Sequence, residues 1–328
     1  SLCLPIKKRS MPETLSLLRF LLEAQPGSVA LLSVTAIFGG GARAVGAQMA
    51  VRADGAAFGT LSGGCVEAAI IGEARRVIES GRPESLRIGQ GSRMMDLRLP
   101  CGGGMDVLIT PLADFAPLRQ AQAALQARRE VTLRLAPEGG LALIEGDAGT
   151  GWAGAEFRVA LRPALRLVIA GQGAEALALA RLGAAFGAGL SLLSPRQELL
   201  DAAMALGAEG LLWTDRRHPP ALRADRHSAI VLLFHDHEWE ASLLQAALAS
   251  DAFYIGAMGS RATHARRLQA LAAQGVAASS LARLTGPIGL IPAVREPELL
   301  ALSALGEIAA RHQAACAGAA ASLLAAAS

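Results

Sequence analysis

Lysine is almost missing from this chain of 328 residues: Lys7 and Lys8 are the only two. A Walker-type phosphate loop needs a lysine to reach the phosphates, and Schiff-base catalysis needs one as nucleophile. Both chemistries are therefore excluded from the body of the chain. Cysteine is sparse as well. Cys3, Cys65, Cys101 and Cys316 are too few for a disulfide framework at this length, and none forms a C-x-x-C pair. Aromatic residues supply 4% of the sequence, so its 52% hydrophobic content is largely aliphatic and rich in alanine. Excess charge is lacking too. A formal net charge of +3, with arginines scattered rather than gathered on one face, argues against a nucleic-acid partner. Long apolar runs are absent near the start, where Glu13, Arg19 and Glu23 interrupt the stretch after Lys7-Lys8-Arg9 and exclude a secretory h-region. The Ala-rich residues 313–328 are too short for a membrane span. A cytoplasmic chain without a membrane partner is expected.

What is present divides in two. The length suggests two domains, and the pattern changes near Pro163, giving domains over 10–162 and 163–316 and an Ala-rich tail over 317–328. In the first, Ser10 and Glu13 form a capping box ahead of a helix with Leu15, Leu18 and Leu22 as its apolar stripe. A buried strand follows over 29–37, stopped by Gly39-Gly40-Gly41. Asp54-Gly55 is a strong turn between strands at 49–52 and 57–61. Ser62-Gly63-Gly64-Cys65 leads into a helix over 66–79 that Gly81 closes. A second cysteine turn, Cys101-Gly102-Gly103-Gly104, precedes a strand over 105–110. A helix over 119–129 and strands over 131–135, 141–144 and 157–161 complete the domain. From Leu165 strands (167–170, 190–193, 210–213, 229–234, 253–257) alternate with helices (174–186, 197–206, 238–249, 262–274), the signature of a parallel sheet. A last helix spans 296–311, with an Ala-rich continuation expected to fray. The fold class is α/β: a C-terminal Rossmann-like doubly wound sheet preceded by an α+β domain that bears Cys65 and Cys101.

Residues 167–176 fit G-x-G-x-x-A after a strand and at a helix start. Gly171 permits the tight turn, Gly173 lets backbone approach a phosphate, and Ala176 allows close helix–strand packing. Free N–H groups and the helix dipole there favour an anion. A ribose-binding Asp or Glu is expected about 20 residues on. The second strand instead ends in Ser194-Pro195-Arg196, which suits a phosphate better than a ribose diol and makes ordinary NAD binding a poor fit. Ligands of such sheets bind at the carboxyl ends of the strands, where His235-Asp236-His237-Glu238 and Gly259-Ser260-Arg261 fall. The second is an anion site by composition. The histidines read as metal ligands or, without an evident third ligand, as a polar strand end.

Cys65 lies at a helix start behind two glycines, where the dipole and free N–H groups favour thiolate. Cys101 sits in a comparable turn able to form an anion-binding nest. The alternative for both is a small buried apolar residue beside a turn.

These motifs, in this order, resemble the XdhC/CoxI family, the accessory factors of xanthine dehydrogenase and related molybdenum hydroxylases. The likeness covers about residues 12 to 312. It is carried by Gly41-Ala42-Arg43 with Val45-Gly46-Ala47-Gln48-Met49, Ser62-Gly63-Gly64-Cys65-Val66-Glu67 and Cys101-Gly102-Gly103. In the second half it is carried by Gly171-Gln172-Gly173, His235-Asp236, Tyr254-Ile255-Gly256, Met258-Gly259-Ser260-Arg261, and Pro287-Ile288-Gly289-Leu290 before Glu296-Pro297.

The resemblance implies a cofactor-binding chaperone rather than a turnover enzyme. It would bind molybdenum cofactor as cargo, assist its sulfuration by a cysteine desulfurase, deliver it to an apo molybdenum hydroxylase, and form a homodimer. The implied cargo-binding set is Arg43, Ser62, Gly63, Gly64, Cys65, Cys101, Gly102, Gly171, Gly173, His235, Gly259, Ser260 and Arg261. In it Gly171, Gly173 and Arg261 face phosphate, and Cys65, with Cys101, faces the metal end. No resident metal is expected apart from a Cys65 contact to the cargo's molybdenum. Two departures from the family pattern stand out: Ser194 replaces a usual Asp, and Ala42 a usual Pro before Arg43. Three other readings compete. One is an NAD(P)-dependent oxidoreductase using Ser194 and Arg196, another a sulfurtransferase carrying persulfide on Cys65. The third is a nucleotide-sensing module that needs neither cysteine.

Overall fold

The structure is a computed structural model that describes residues 13–39, 43–62, 64, 66–92 and 102–326, with backbone alone at His237 and over 317–326. Contacts group residues 13–163 into one compact unit and 164–317 into another.

The first unit begins with α1 (Glu13–Leu22), then β1 (Val29–Phe38), β2 (Gln48–Arg52) and β3 (Ala57–Phe58). After α2 (Glu67–Ser80) come β4 (Glu84–Gly89), β5 (Gly104–Pro111) and α3 (Ala116–Gln126). The strands β6 (Val131–Leu135), β7 (Leu141–Glu145), β8 (Gly151–Ala153) and β9 (Glu156–Leu161) close it. Two antiparallel sheets result, ordered β3-β2-β1-β5-β4 and β7-β6-β9-β8. Alternation along β1 explains the layers, because successive side chains of a strand face opposite ways. Ala30, Leu32 and Val34 pack with Ile70, Ala74 and Val77 of α2. Val29 and Leu31 join α1, α3 and the inner face of the second sheet through Leu118, Leu133 and Phe157.

The capping box expected at Ser10 lies outside the described residues. The buried side of α1 is Leu17, Leu18 and Leu21. Of the expected stripe only Leu18 is fully buried; Leu15 and Leu22 flank the core. Strand β4 (Glu84–Gly89) had no counterpart among the expected strands: Leu86 and Ile88 alternate with Ser85 and Arg87, but two apolar residues are too short a period to register. Helix α3 starts earlier than its periodicity suggests, with Pro117 in the first turn, where a missing N–H costs nothing. It also stops earlier, as Arg128 takes a left-handed φ of 60°.

In the second unit β10 (Arg166–Gly171), α4 (Ala174–Phe186), β11 (Gly189–Ser194), α5 (Gln197–Met204), β12 (Glu209–Leu212) and β13 (Ser228–Leu233) follow in turn. Next come α6 (Glu240–Leu248), β14 (Tyr254–Ala257), α7 (Arg261–Ala273), α8 (Ala278–Leu281), β15 (Leu284–Thr285) and α9 (Pro297–Ala326). All six strands are parallel, in the order β12-β11-β10-β13-β14-β15. This is the dinucleotide-fold order 3-2-1-4-5-6, whose direction reverses between β10 and β13. Leu167 and Ile169 face α4 and α9, whereas Val168 and Ala170 face α6, so the sheet is covered on both sides. The elements α8 and β15 had no counterpart in the sequence reading; they are four and two residues long, too short for a period to register. The backbone of α9 stays helical to Ala326, beyond the point where fraying was expected. No described helix is long and apolar enough to cross a membrane.

Candidate functional site

Gly171 closes β10 where the chain has no room for a side chain. A Cβ there would lie 2.7 Å from the Leu233 carbonyl oxygen and 3.1 Å from Ala176 Cβ. Ala176 is itself fully buried, so the small residues of this turn are demanded by packing. Gly173 caps α4 in an extended conformation with no side-chain cap.

The first turn of α4 also carries Glu175, buried, whose Oε1 accepts a hydrogen bond from His235 Nε2 at 3.1 Å. A Cβ on Gly173 would come 2.3 Å from Glu175 Oε2. The carboxylate therefore sits over the turn expected to hold phosphate. It sets a negative charge beside the helix N-terminus, where an anion would dock.

His235 follows β13 at the point where strand order reverses, with its side chain 68% exposed. With Glu175 it borders a cavity of about 860 Å³ whose other walls include Met258, Gly259, Ser260, Arg261 and the 287–295 loop. That volume lies within the range of small-molecule and cofactor sites. The Gly259-Ser260-Arg261 turn is rigidly held. Gly259 has φ +141°, and a Cβ would press within 3.1 Å of Thr263. Ser260 caps α7 by accepting from Thr263 N at 3.1 Å, and Arg261 is exposed at the first helical position. Beneath it Arg267 forms a bidentate pair with Glu240 at 2.8 and 2.9 Å, with side chains 5% and 4% exposed, and donates to the Met258 carbonyl.

The facing loop is braced from α9. Glu307 accepts from Tyr254 Oη at 2.9 Å, from Gly289 N at 2.7 Å and from Arg311. Burial, reinforced by the Glu307 charge, pushes the Tyr254 hydroxyl well above the usual phenol range. Ser303 Oγ takes the Ile291 N–H at 2.7 Å. Burial first, and the Arg267 charge second, push His264 below the usual imidazole range. Sequence reasoning did not reach Glu175, Glu240, Arg267 or Glu307. Each is an acid or base inside a helix, where only its burial distinguishes it from surface charge.

Ser194 is fully buried, and its hydroxyl accepts the Arg196 N–H at 3.2 Å. It turns inward, which corrects the expectation that its hydroxyl meets a ligand phosphate; Arg196 stays exposed. The side chain of His237 lies outside the described residues, and with it the metal reading of His235 and His237; among the described residues the three-residue group of metal-ligating side chains is His227, His312 and Cys316.

In the first unit the register sets Gly104 opposite both Phe38 of β1 and Gly89 of β4. The loop after β1, which bears Arg43, and the segment between β4 and β5, which bears Cys101 in the sequence, therefore leave the same end of the five-stranded sheet. Strand β3 ends at Phe58 opposite Ala50, which pairs with Leu31 near the other end of β1, so the segment leading to Cys65 starts there. Gly63, Cys65 and Cys101, with Gly41 and Ala42, lie outside the described residues.

The described neighbours show how the Cys65 turn is held. Glu67 accepts from the Ser62 and Thr60 hydroxyls, from Ser62 N at 2.9 Å and from Gly64 N. Ser62 Oγ in turn takes the Val66 N–H at 3.2 Å. Burial is the largest influence on Glu67 and acts upward, but these hydrogen bonds together outweigh it and lower its pKa to about 2. Gly64 supplies the left-handed φ of +104° that the turn requires. The helix α2 begins at Glu67, one residue later than its pattern suggests, with Val66 as N-cap. An ionised carboxylate in that first turn works against the dipole's preference for a thiolate at Cys65. Gly102 has φ +71°. Arg43 is paired with Glu13 at 2.8 Å beside a smaller cavity of about 170 Å³.

Known proteins agree with this architecture. A family described as the XdhC Rossmann domain matches residues 167–308, and the XdhC and CoxI family matches residues 22–89. A crystal structure of a protein described as a xanthine dehydrogenase from Bacillus halodurans shares the fold, with a TM-score of 0.73 at 20% identity. The likeness covers 92% of this chain and 96% of that one. The molybdenum cofactor insertion chaperone PaoD of Escherichia coli (strain K12) is 38% identical over 298 residues, 90% of this chain and 87% of the relative. The chain is thus a member of the XdhC and CoxI family.

Proposed function

We propose that this chain binds molybdenum cofactor as cargo, takes part in its sulfuration with a cysteine desulfurase as sulfur source, and delivers it to an apo molybdenum hydroxylase, working as a homodimer. The observation that carries the proposal is the cavity of about 860 Å³ at the carboxyl ends of β10, β13 and β14. Similarity to a relative described as an insertion chaperone for this cofactor supports it.

The cavity's chemistry fits a phosphorylated pterin. Gly259 bares the backbone of its lining, and Ser260 and Arg261 offer a hydroxyl and a guanidinium at the start of α7. Gly171 and Gly173, in the turn before Glu175, are the second proposed phosphate contact. With Glu175 over the α4 turn, the α7 turn is the stronger of the two phosphate positions. His235 borders the same space. Molybdenum takes soft ligands, and Cys65, with Cys101 a second sulfur, is the proposed thiolate contact to the cargo's metal. Ser62, Gly63, Gly64 and Gly102 shape those turns, and Arg43 offers a cation in the loop after β1.

Transfer to a purified apo-hydroxylase, read as recovered hydroxylase activity, separates these roles. Arg261→Ala is expected to weaken cargo retention about tenfold or more, as loss of a charged hydrogen bond of about 1.5–3 kcal/mol implies. Cys65→Ala is expected to retain pterin while losing sulfur delivery. Normal transfer by both variants would contradict the assignment.

The strand order 3-2-1-4-5-6 favours a second reading, a dinucleotide site. An acid to hold the ribose is missing at the end of β11, and Ser194 there is buried. Saturable quenching on titration with NADPH, together with turnover of a substrate, would favour that oxidoreductase over the carrier.

A further inference from the structure

The amino ends of the parallel strands hold a cluster that the cargo site does not use. His227 immediately precedes β13; His312 and Cys316 lie one turn apart on α9. His227 Nδ1 is 3.4 Å from His312 Nε2, and Cys316 Sγ is 4.0 Å from the same nitrogen. One donor atom from each residue falls within 4.8 Å of the others. A tetrahedral zinc ion, with Zn–N near 2.0–2.1 Å and Zn–S near 2.3 Å, spaces its donors about 3.4–3.6 Å apart. The two contacts to His312 thus lie within tenths of an ångström of coordinating spacing, and the His227–Cys316 separation, at most 4.8 Å, closes by no more than about 1.2 Å on binding.

The chemistry is equally specific. Two imidazoles and a thiolate are a set for zinc or another borderline-to-soft d-block ion, and a poor one for magnesium or calcium, which take oxygen ligands. The first ligand is held in place: His227 N donates to Asp225 Oδ1 at 2.9 Å, and its carbonyl accepts from Arg166 N at 2.9 Å. His312 packs on the Phe253 ring with centroids 5.0 Å apart. The site is also remote from the cavity, since β13 rises about 20 Å between its two ends.

We propose that His227, His312 and Cys316 form a site for Zn²⁺ that clips α9 to the amino end of the sheet. On binding, the Cys316 thiol releases its proton to solvent and the sulfur lone pair bonds the metal, both imidazoles remaining neutral. A fourth donor completes the tetrahedron.

The test uses the full-length chain freed of metal by chelator. Zn²⁺ is titrated against a chromophoric chelator, and Co²⁺ is used as the spectroscopic probe. One equivalent is expected, and its Co²⁺ form should show a thiolate-to-cobalt charge-transfer band. Cys316→Ser should abolish that band, and His312→Ala should weaken Zn²⁺ binding more than about 100-fold, beyond the loss typical of an outer-shell partner. Cys65→Ala should leave both unchanged. Zn²⁺ should raise the melting temperature of the unaltered chain but not of Cys316→Ser. Uptake and band that survive Cys316→Ser, or that vanish in Cys65→Ala, would overturn the proposal. So would a chain that takes up no more Zn²⁺ than a variant lacking all three ligands.

Discussion

Single residues set the geometry of both glycine-rich turns. Glu67 is the clearest case, because one carboxylate gathers the Ser62, Thr60 and Gly64 ends of the Cys65 turn. Its pKa is depressed in the folded chain, so its stabilisation is complete above the ordinary glutamate value and is lost as pH falls toward about 2. Glu67→Gln should therefore lower stability at neutral pH, with the gap to the unaltered chain closing as acid protonates the native glutamate. Denaturant midpoints measured from pH 7 to pH 2 check this, and a gap independent of pH would contradict it.

Gly171 makes a different demand. Gly171→Ala should cost about 1–3 kcal/mol by overpacking against the Leu233 backbone, seen as a lower denaturation midpoint. Glu175→Gln should act on binding instead. Removing the charge at the α4 terminus should tighten phosphate-bearing ligands by about 0.5–2 kcal/mol, measured as a lower Kd for cargo. The need for glycine at position 171 was legible from the motif alone. The Glu175–His235 pair was not, because sixty residues separate its members and only the switch point of the sheet brings them together.

Elements present these residues through buried polar braces. The Arg267–Glu240 pair joins α6 to α7 and, through the Met258 carbonyl, fixes the chain that enters the Gly259-Ser260-Arg261 turn. Glu240→Ala should cost about 3–5 kcal/mol by stranding the Arg267 charge, visible in the urea midpoint, whereas an unchanged midpoint would show the pair to be incidental. Glu307 does the corresponding work for the loop opposite. The long strands and helices of the second unit could be read directly, since β10 and α4 carry strong periodicity and glycine stops. Short or weakly patterned pieces could not. Strand β4 offers only Leu86 and Ile88 as an apolar face, and β15 pairs only through Leu284 and Thr285. Both exist because tertiary neighbours complete them.

At the scale of the whole molecule, two compact units meet in sequence between Pro163 and Ala164. The first brings the loop after β1 and the segment between β4 and β5 to one end of an antiparallel sheet; the second opens a cofactor-sized cavity at the switch point of a parallel one. The family membership was legible from the spaced glycine, cysteine and arginine motifs. The inward turn of Ser194 was not, because a serine at a strand end is compatible with either direction. The most direct measurement is anaerobic purification of the full chain from a molybdenum-replete host, with molybdenum determined by elemental analysis and pterin by fluorescence after oxidation. Molybdenum and pterin should co-purify in equal amounts and both fall in Arg261→Ala. A chain that leaves the column with neither, yet folded, would contradict the role as carrier.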